Sequence, residues 1–416
     1  MMRFQLKKWC AKVFEFSNLE LADLQYDELF KPMLTGLKIM ACVPKLHKKP
    51  YWIIHTLLRL GIYDFSSCLI LYSVVFHDIY HDIENLFANL NYLAIGGVIT
   101  LLNFTMVNYH KKYFNLMNTV KDDYANGYKL AREDQLILLD YAKRGKLVTS
   151  LLTAAVVMYN FLSEIIPFLL MLYYLIFEEF KFVNSYVITL PAIFDKMNDV
   201  LKNCLLLLVS NYLIFYGCAT YVAVVPQGLI NMLHACGRID ILKKKVIALL
   251  PDDNMVPINI HHSIRVISEE LQDVYDFVAD INITSRSIYE MTLKLSSVII
   301  PITALLIIEE IKHTTVRGDF VFILAATLLF SSLPCYYGNL LMTKSLELRE
   351  AVYFSGWERV WDRRTRSSLL VLMTRMERAI AIRSVFHVMN HETLADVFKT
   401  SYRLFSLLTA AWTIEY

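Results

Sequence analysis

Few residues in this chain stand where they could do bond-making chemistry. His77 and His81 are four residues apart, the spacing at which two imidazoles on one helix face can share a metal ion, but no Glu or Cys stands nearby to complete a site. Together with Asp78 and Asp82 they read as a short, solvated acidic turn. His261 and His262 are likewise no metal signature. The seven cysteines form no CxxC pair and sit mostly in apolar surroundings, so they describe neither a zinc site nor a disulfide framework. No catalytic constellation is present, and neither a cofactor nor a metal is expected. The chain does not read as an enzyme.

What remains are isolated charges in apolar stretches. Glu164 lies within a long hydrophobic segment, where a carboxyl is expensive. Two readings of it stand: a group hydrogen-bonded inside a helix bundle, or a ligand contact. Arg403 lies in the last stretch, Leu394 to Ile414, and shares one helical face with Thr400, Leu407 and Ala411. A face of small and aliphatic side chains broken by one charge suits a pore lining. It also suits an ordinary lipid-anchored span whose arginine snorkels to the interface.

The elements that must position these residues are membrane spans. Of 416 residues, 56% are hydrophobic and 19% charged, against about 25% charged in soluble domains, and the mean hydropathy is +0.42. The net charge of +2 does not point to nucleic acid. Apolar stretches lie at about 52–76, 86–107, 147–177, 201–233, 291–311, 320–342 and 394–414. Each is ~20 residues or longer, the length that crosses a ~30 Å hydrocarbon core. Pro167 is a candidate kink in the third.

Between the stretches lie polar segments at 109–146, 233–290 and 344–383. They have helical patterns over Asp134–Lys143 and Ser268–Asp280 and a turn signal at Pro251-Asp252-Asp253-Asn254. Leu19 to Phe30 reads as a short amphipathic helix, and Glu178 to Asp199 as a loop. No internal repeat supports a transporter plan. The N-terminus lacks an apolar core of signal-peptide length and is expected to be retained.

Of the 41 Lys and Arg residues, 32 lie in the N-terminal segment and the three polar segments, and four lie on the other side. The positive-inside rule therefore predicts a cytosolic N-terminus and, after seven spans, an extracellular C-terminus. This is the reverse of a G-protein-coupled receptor, and neither Asp-Arg-Tyr nor Asn-Pro-x-x-Tyr occurs. A metabotropic seven-span chemoreceptor is the alternative that loses on both grounds. The sequon Asn282-Ile-Thr284 falls on the cytosolic side, so it is expected to stay unglycosylated and to test this orientation.

Two stretches carry a family resemblance. Cys335-Tyr-Tyr-Gly338, followed by Ser345, Leu348, Ala351, Tyr353, Ser355 and Trp357, resembles the sixth-helix signature of insect odorant receptors. The stretch MNHETLADVFKTSYRLFSLL, Met389 to Leu408, is similar to the end of the same family. Departures occur at Arg378, Arg383, Ser384 and Arg403. The gustatory branch typically ends in Thr-Tyr, five residues and Gln-Phe, which Ser401-Tyr402 and its successors match less well. The short 233–290 segment suggests a ligand-tuning subunit rather than the longer shared co-receptor.

The resemblance implies an all-α, seven-transmembrane helix bundle and a division of the chain. Residues 1–50 would be a cytosolic N-terminal segment. Residues 51–343 would hold helices 1–6 with cytosolic helical extensions at 109–146 and 233–290. Residues 344–388 would be a cytosolic anchor, and 389–416 the pore-lining last helix.

It further implies the odorant-binding subunit of a ligand-gated, non-selective cation channel. That channel would be a heteromeric tetramer with the odorant co-receptor subunit in the plasma membrane of sensory neurons. Its partners would be membrane lipid and a small volatile organic ligand. Ligand would sit among the outer halves of spans two, three, four and six, whose aromatics are Phe87 and Tyr92; Tyr159, Phe161 and Phe168; Tyr212 and Tyr216; Phe320 and Phe322. Leu407, with Ala411 as a second ring, would be the hydrophobic gate, and Arg403 would stand one turn before it. Tyr353 and Trp357 would make anchor contacts, with Trp361 beside them. An interfacial aromatic belt is the other reading of the two tryptophans.

Overall fold

One long helix organises the chain. In the computed structural model it spans Asp199–Ile247, and its stretch from Leu229 to Gly237 is buried without interruption. A helix that is apolar all round belongs at the centre of a bundle.

The structure describes residues 25–40, 51–81, 83–177, 180–184, 186, 188–194, 196–250, 260–312, 318–360 and 362–415. The Pro251–Asn254 turn, Trp361 and the first residues of the Leu19–Phe30 helix candidate lie outside them. Ten helices are named here. They are α1 (Lys31–Ile39), preceded by a single turn at Tyr26–Leu29, α2 (Tyr51–Ser73), α3 (Ile83–Asn108), α4 (His110–Asn126), α5 (Arg132–Phe177), α6 (Asp199–Ile247), α7 (Ile260–Lys312), α8 (Gly318–Tyr353), α9 (Arg363–Arg375) and α10 (His391–Glu415). Among the described residues the β-structure amounts to one isolated bridge, Arg383 to Val388. The fold is an all-helical bundle.

Central α6 packs on α5, α8, α1 and α7, while α7 also holds α3, α8 and α10. At 46, 49 and 53 residues, α5, α6 and α7 are each about 70–80 Å long at 1.5 Å per residue, more than twice the thickness of a hydrocarbon core. The polar segments at 132–146, 233–247 and 260–290 are thus continuations of the apolar helices. They project together at one end of the bundle, called here the polar end. Pro167 lies inside an unbroken helix, as do Pro226, Pro301 and Pro334; neighbouring helices can take up the backbone groups that a proline frees.

Among the described residues, six helices are long and apolar enough to cross a membrane. Only 11% of the most apolar window of α5 is buried, against 50% for α3, and the outward side of α5 carries Leu169, Leu172, Ile176 and Phe177. A continuous apolar surface of that kind needs lipid as its solvent, and the chain is a membrane protein. The seventh helix, α10, has 25 residues, long enough to span, but Asp396, Lys399 and Arg403 make it less apolar than the six.

The expected acidic turn at His77–Asp82 is corrected. Helix α2 continues through a π-turn, Val74–Asp78, into Ile79–His81. Asp78 is buried: it accepts from Asn89 Nδ2 at 2.7 Å and from Ser73 Oγ at 3.1 Å. Ser73 Oγ in turn accepts from the Thr189 amide at 3.0 Å, which fastens the 180–194 loop to α2. The wider turn brings Asp78 inward, a placement that helical spacing does not foretell.

Candidate odorant cavity and the last helix

Away from the polar end the helices line a cavity of about 190 Å³. Helices α2, α3, α5, α6 and α8 wall it, and the 180–194 loop adds Tyr186. The walls are mainly aliphatic, with phenol hydroxyls from Tyr63, Tyr92, Tyr159, Tyr186 and Tyr221. The rings of Tyr92 and Tyr186 meet at 4.1 Å between centroids, and Tyr159 hydrogen-bonds Tyr186. Such a chamber, apolar with a few hydroxyl handles, suits a small hydrophobic molecule carrying one or two polar atoms.

Three of the nine aromatics singled out from sequence line this cavity: Tyr92, Tyr159 and Phe322. Four others sit in or against the surrounding core. Phe320 is fully buried, and Phe87 is partly buried against the same cluster. Tyr212 donates to the Arg59 carbonyl at 2.8 Å, and Tyr216 donates to Asn103 Oδ1 at 2.9 Å. These two rings stack at 5.7 Å.

Phe161 and Phe168 point outward, 46% and 60% exposed, and do not line the cavity. Glu164 accepts from Asn160 Nδ2 at 3.1 Å, and it too is absent from the cavity wall. Sequence reasoning passed over Tyr63, Tyr186, Tyr221 and Phe330. Tyr63 lies on the first span, Tyr186 lies in a loop with no periodicity to read, Tyr221 lies deeper than the outer half of its span, and Phe330 lies at the middle of its own.

Helix α10 is held along one stripe. Val397 and Ser401 are buried, and Leu408 packs against the core around the cavity. Thr400, Arg403, Leu407 and Ala411 lie beside that stripe and are all exposed, with Leu407 66% exposed. Among the described residues no ion pair includes Arg403.

The segment between α9 and α10 is fastened to α7 and α8. Asn282 donates to the Ala381 carbonyl at 3.2 Å and accepts from the Arg383 amide at 2.8 Å. Glu290 accepts from Ser384 Oγ at 2.7 Å and from the Phe386 amide at 3.2 Å, and lies 3.2 Å from His387 Nδ1. The Ile380 amide donates to Ser345 Oγ at 2.9 Å. At Gly338 a Cβ would lie 2.4 Å from the Met389 carbonyl oxygen, so only glycine lets α8 approach this segment. Asn282 is thus committed to these bonds inside a helix, and Thr284 is buried.

At the polar end, Asp240 binds both Tyr141, at 2.6 Å, and Lys344, at 3.2 Å. His234 meets Asp123 at 2.8 Å. Asp123 stays ionised below the ordinary carboxylate range: burial opposes this, but His234 and Arg238 outweigh it. Gly356, with φ 80°, turns the chain out of α8. There Tyr353 is exposed, and Trp357 is partly buried against the main core. Asp362 then caps α9, and bonds from the Thr365 hydroxyl and amide and the Arg364 amide hold its carboxyl down at about 2.

A family model for the seven-transmembrane odorant receptor matches residues 82–402. The chain belongs to the odorant receptor family. Members of this family act as receptors rather than as enzymes. A search of curated protein sequences finds no match. Among solved structures, the chain is similar to the insect olfactory receptor OR5 from Machilis hrabei, at 14% identity and a TM-score of 0.74, covering 92% of this chain and 97% of that one. It is similar as well to the same receptor in complex with eugenol, at 13% identity and a TM-score of 0.74, covering 92% and 98%. At such identities the likeness is one of fold, and it extends over the whole odorant-receptor bundle described here.

Proposed function

We propose that this odorant receptor is the odorant-binding subunit of a ligand-gated, non-selective cation channel. It takes a small hydrophobic volatile into the 190 Å³ cavity and opens a central pore in a heteromeric tetramer with a co-receptor subunit. It works in the plasma membrane of sensory neurons, with its N-terminus cytosolic and its C-terminus outside. The polar end, from residue 344 to 388 with the extensions of α5, α6 and α7, is the cytosolic anchor, where Tyr353 and Trp357 contact neighbouring subunits.

The observation that carries this reading is the mainly apolar cavity with its tyrosine hydroxyls. Burying a ten-carbon volatile there yields on the order of 8 kcal/mol at ~0.8 kcal/mol per CH₂, enough for micromolar binding without a charged anchor. The solved complex of the Machilis hrabei receptor with eugenol supports a ligand of this class. Supporting the pore assignment is the exposed face of α10, which has no partner helix within the described residues. Leu407, repeated around an axis, is a ring able to close a pore by dewetting it. Ala411 is a weaker second ring, and Arg403 adds charge one turn away. Ligand opens the pore to the extent that it binds the open form better than the closed one.

The test is co-expression with the family co-receptor under voltage clamp, with a panel of volatiles. The expected result is an odorant-evoked cation current whose half-maximal concentration rises at least about tenfold in Tyr159→Ala. Absence of current with every volatile, in cells where the protein reaches the surface, overturns the channel reading.

A further inference from the structure

A second compartment, of about 60 Å³, lies beneath the first, towards the polar end, between α3, α4, α6, α7 and α8. That is several times the ~10–15 Å³ that one water needs. The two share two wall residues besides their common helices, Tyr221 and Phe330, which line both. Their rings stack at 4.7 Å between centroids, inclined by 28°. The pair is therefore the partition between the chambers.

Nothing polar fixes this partition in place. Tyr216, one turn earlier on α6, is tied to Asn103. The Tyr221 hydroxyl makes no hydrogen bond among the described residues, and both partition rings are only partly buried. A ring without a polar tether can change rotamer at the cost of its apolar contacts, which here are the stack and the neighbouring core. Beyond it other helices make the walls. The first chamber is bounded by α2 and α5; the second is bounded by α7, which contributes Ser285, Tyr289 and Thr292. An aliphatic chain that passes the rings thus meets hydroxyls at its far end.

We propose that Tyr221 and Phe330 form a movable partition that sets ligand length, and that an elongated, mainly aliphatic ligand with a terminal hydroxyl or carbonyl occupies both chambers. This rests on the reading that the first chamber is the odorant site. A compact ligand stays above the rings and leaves them stacked, whereas a long one displaces them and reaches α7. The discriminating residues are then the two rings together with those that fill the lower chamber, such as Val225.

The experiment measures half-maximal concentrations for straight-chain primary alcohols of rising length, with the full chain expressed beside the co-receptor. Phe330→Ala and Tyr221→Ala are expected to improve the long members by about tenfold, the scale set by a single methylene in a pocket, while short members move less than about threefold. Val225→Phe, which fills the lower chamber, is expected to weaken the long members by about tenfold and to spare the short ones. Phe330→Leu carries the comparison where Phe330→Ala does not reach the surface. Equal shifts at every length, or long members indifferent to Val225→Phe, overturn the proposal. Ala155→Trp, in the upper chamber alone, separates the two readings: if it leaves responses of all lengths intact, the odorant-site reading fails as well.

Discussion

The two ends of the bundle are built on different terms. At the polar end a single large core runs from Phe30 and Met33 through the buried half of α6 to Ile382 and Met389. Ion pairs cross it between helices, such as Lys243 to Glu347 at 2.8 Å and Lys245 to Glu270 at 2.5 Å. At the other end a smaller cluster surrounds a cavity, and tyrosine–tyrosine contacts replace close aliphatic packing. A dense core stores little room for movement, whereas a cluster around an open chamber can rearrange at small cost. One end thus holds the helices in register, while the other leaves its side chains room to rearrange. The segment before α10 is fastened at the dense end, so the last helix is anchored there and only lightly held beyond it.

Substitutions at the dense end should destabilise the fold, and substitutions at the cavity should change response instead. The largest effect is expected at Gly338. Valine there drives a side chain into the Met389 backbone, which should cost several kcal/mol and abolish surface expression; normal expression breaks the comparison at once. Next comes Glu290→Ala, which strips Ser384, Phe386 and His387 of their shared acceptor. A loss of roughly 2–3 kcal/mol should appear as a lowered thermal midpoint in detergent, and Asn282→Ala should follow it with a smaller drop.

Leu407→Ser should leave that midpoint unchanged, because the side chain is 66% exposed, yet raise the current measured without odorant; a midpoint shift with no change in basal current would remove Leu407 from the gate. Smallest of all, Phe161→Ala and Phe168→Ala should alter odorant potency by less than about twofold, since neither ring reaches the cavity and a group without contact has no differential affinity to lose. A tenfold change at either would move the ligand site outward towards the lipid face.

Much of the architecture was legible along the chain. Apolar runs of membrane-crossing length marked the helices, and the residues around Gly338 and Met389–Leu408 pointed to the family that the match over 82–402 then established. The lengths of α5, α6 and α7 were legible in part: helical patterns marked the polar continuations of α5 and α7, but not that each of the three runs unbroken out of its span, because a helix that leaves the membrane exchanges its outer side chains without breaking its backbone bonds. The cavity was legible in part. Tyr159 and Phe161 lie two residues apart on α5, roughly 200° around the axis at 3.6 residues per turn, yet only Tyr159 faces inward. In a soluble helix polar side chains would have marked the outer face. In a membrane both faces are apolar, since lipid tails are as apolar as leucine, and the rotation of each helix is hidden.

By itself the sequence determined that this chain is a helical membrane protein of the odorant receptor family, because span length and local motifs are properties of contiguous residues. Tertiary structure alone decided which aromatics meet around a chamber, that Asp78 is an interior group, that Asn282 and Glu290 fasten the approach to α10, and that Tyr221 and Phe330 divide two compartments. Those facts depend on how helices distant in sequence rotate and settle against one another. Neither hydropathy nor spacing records that.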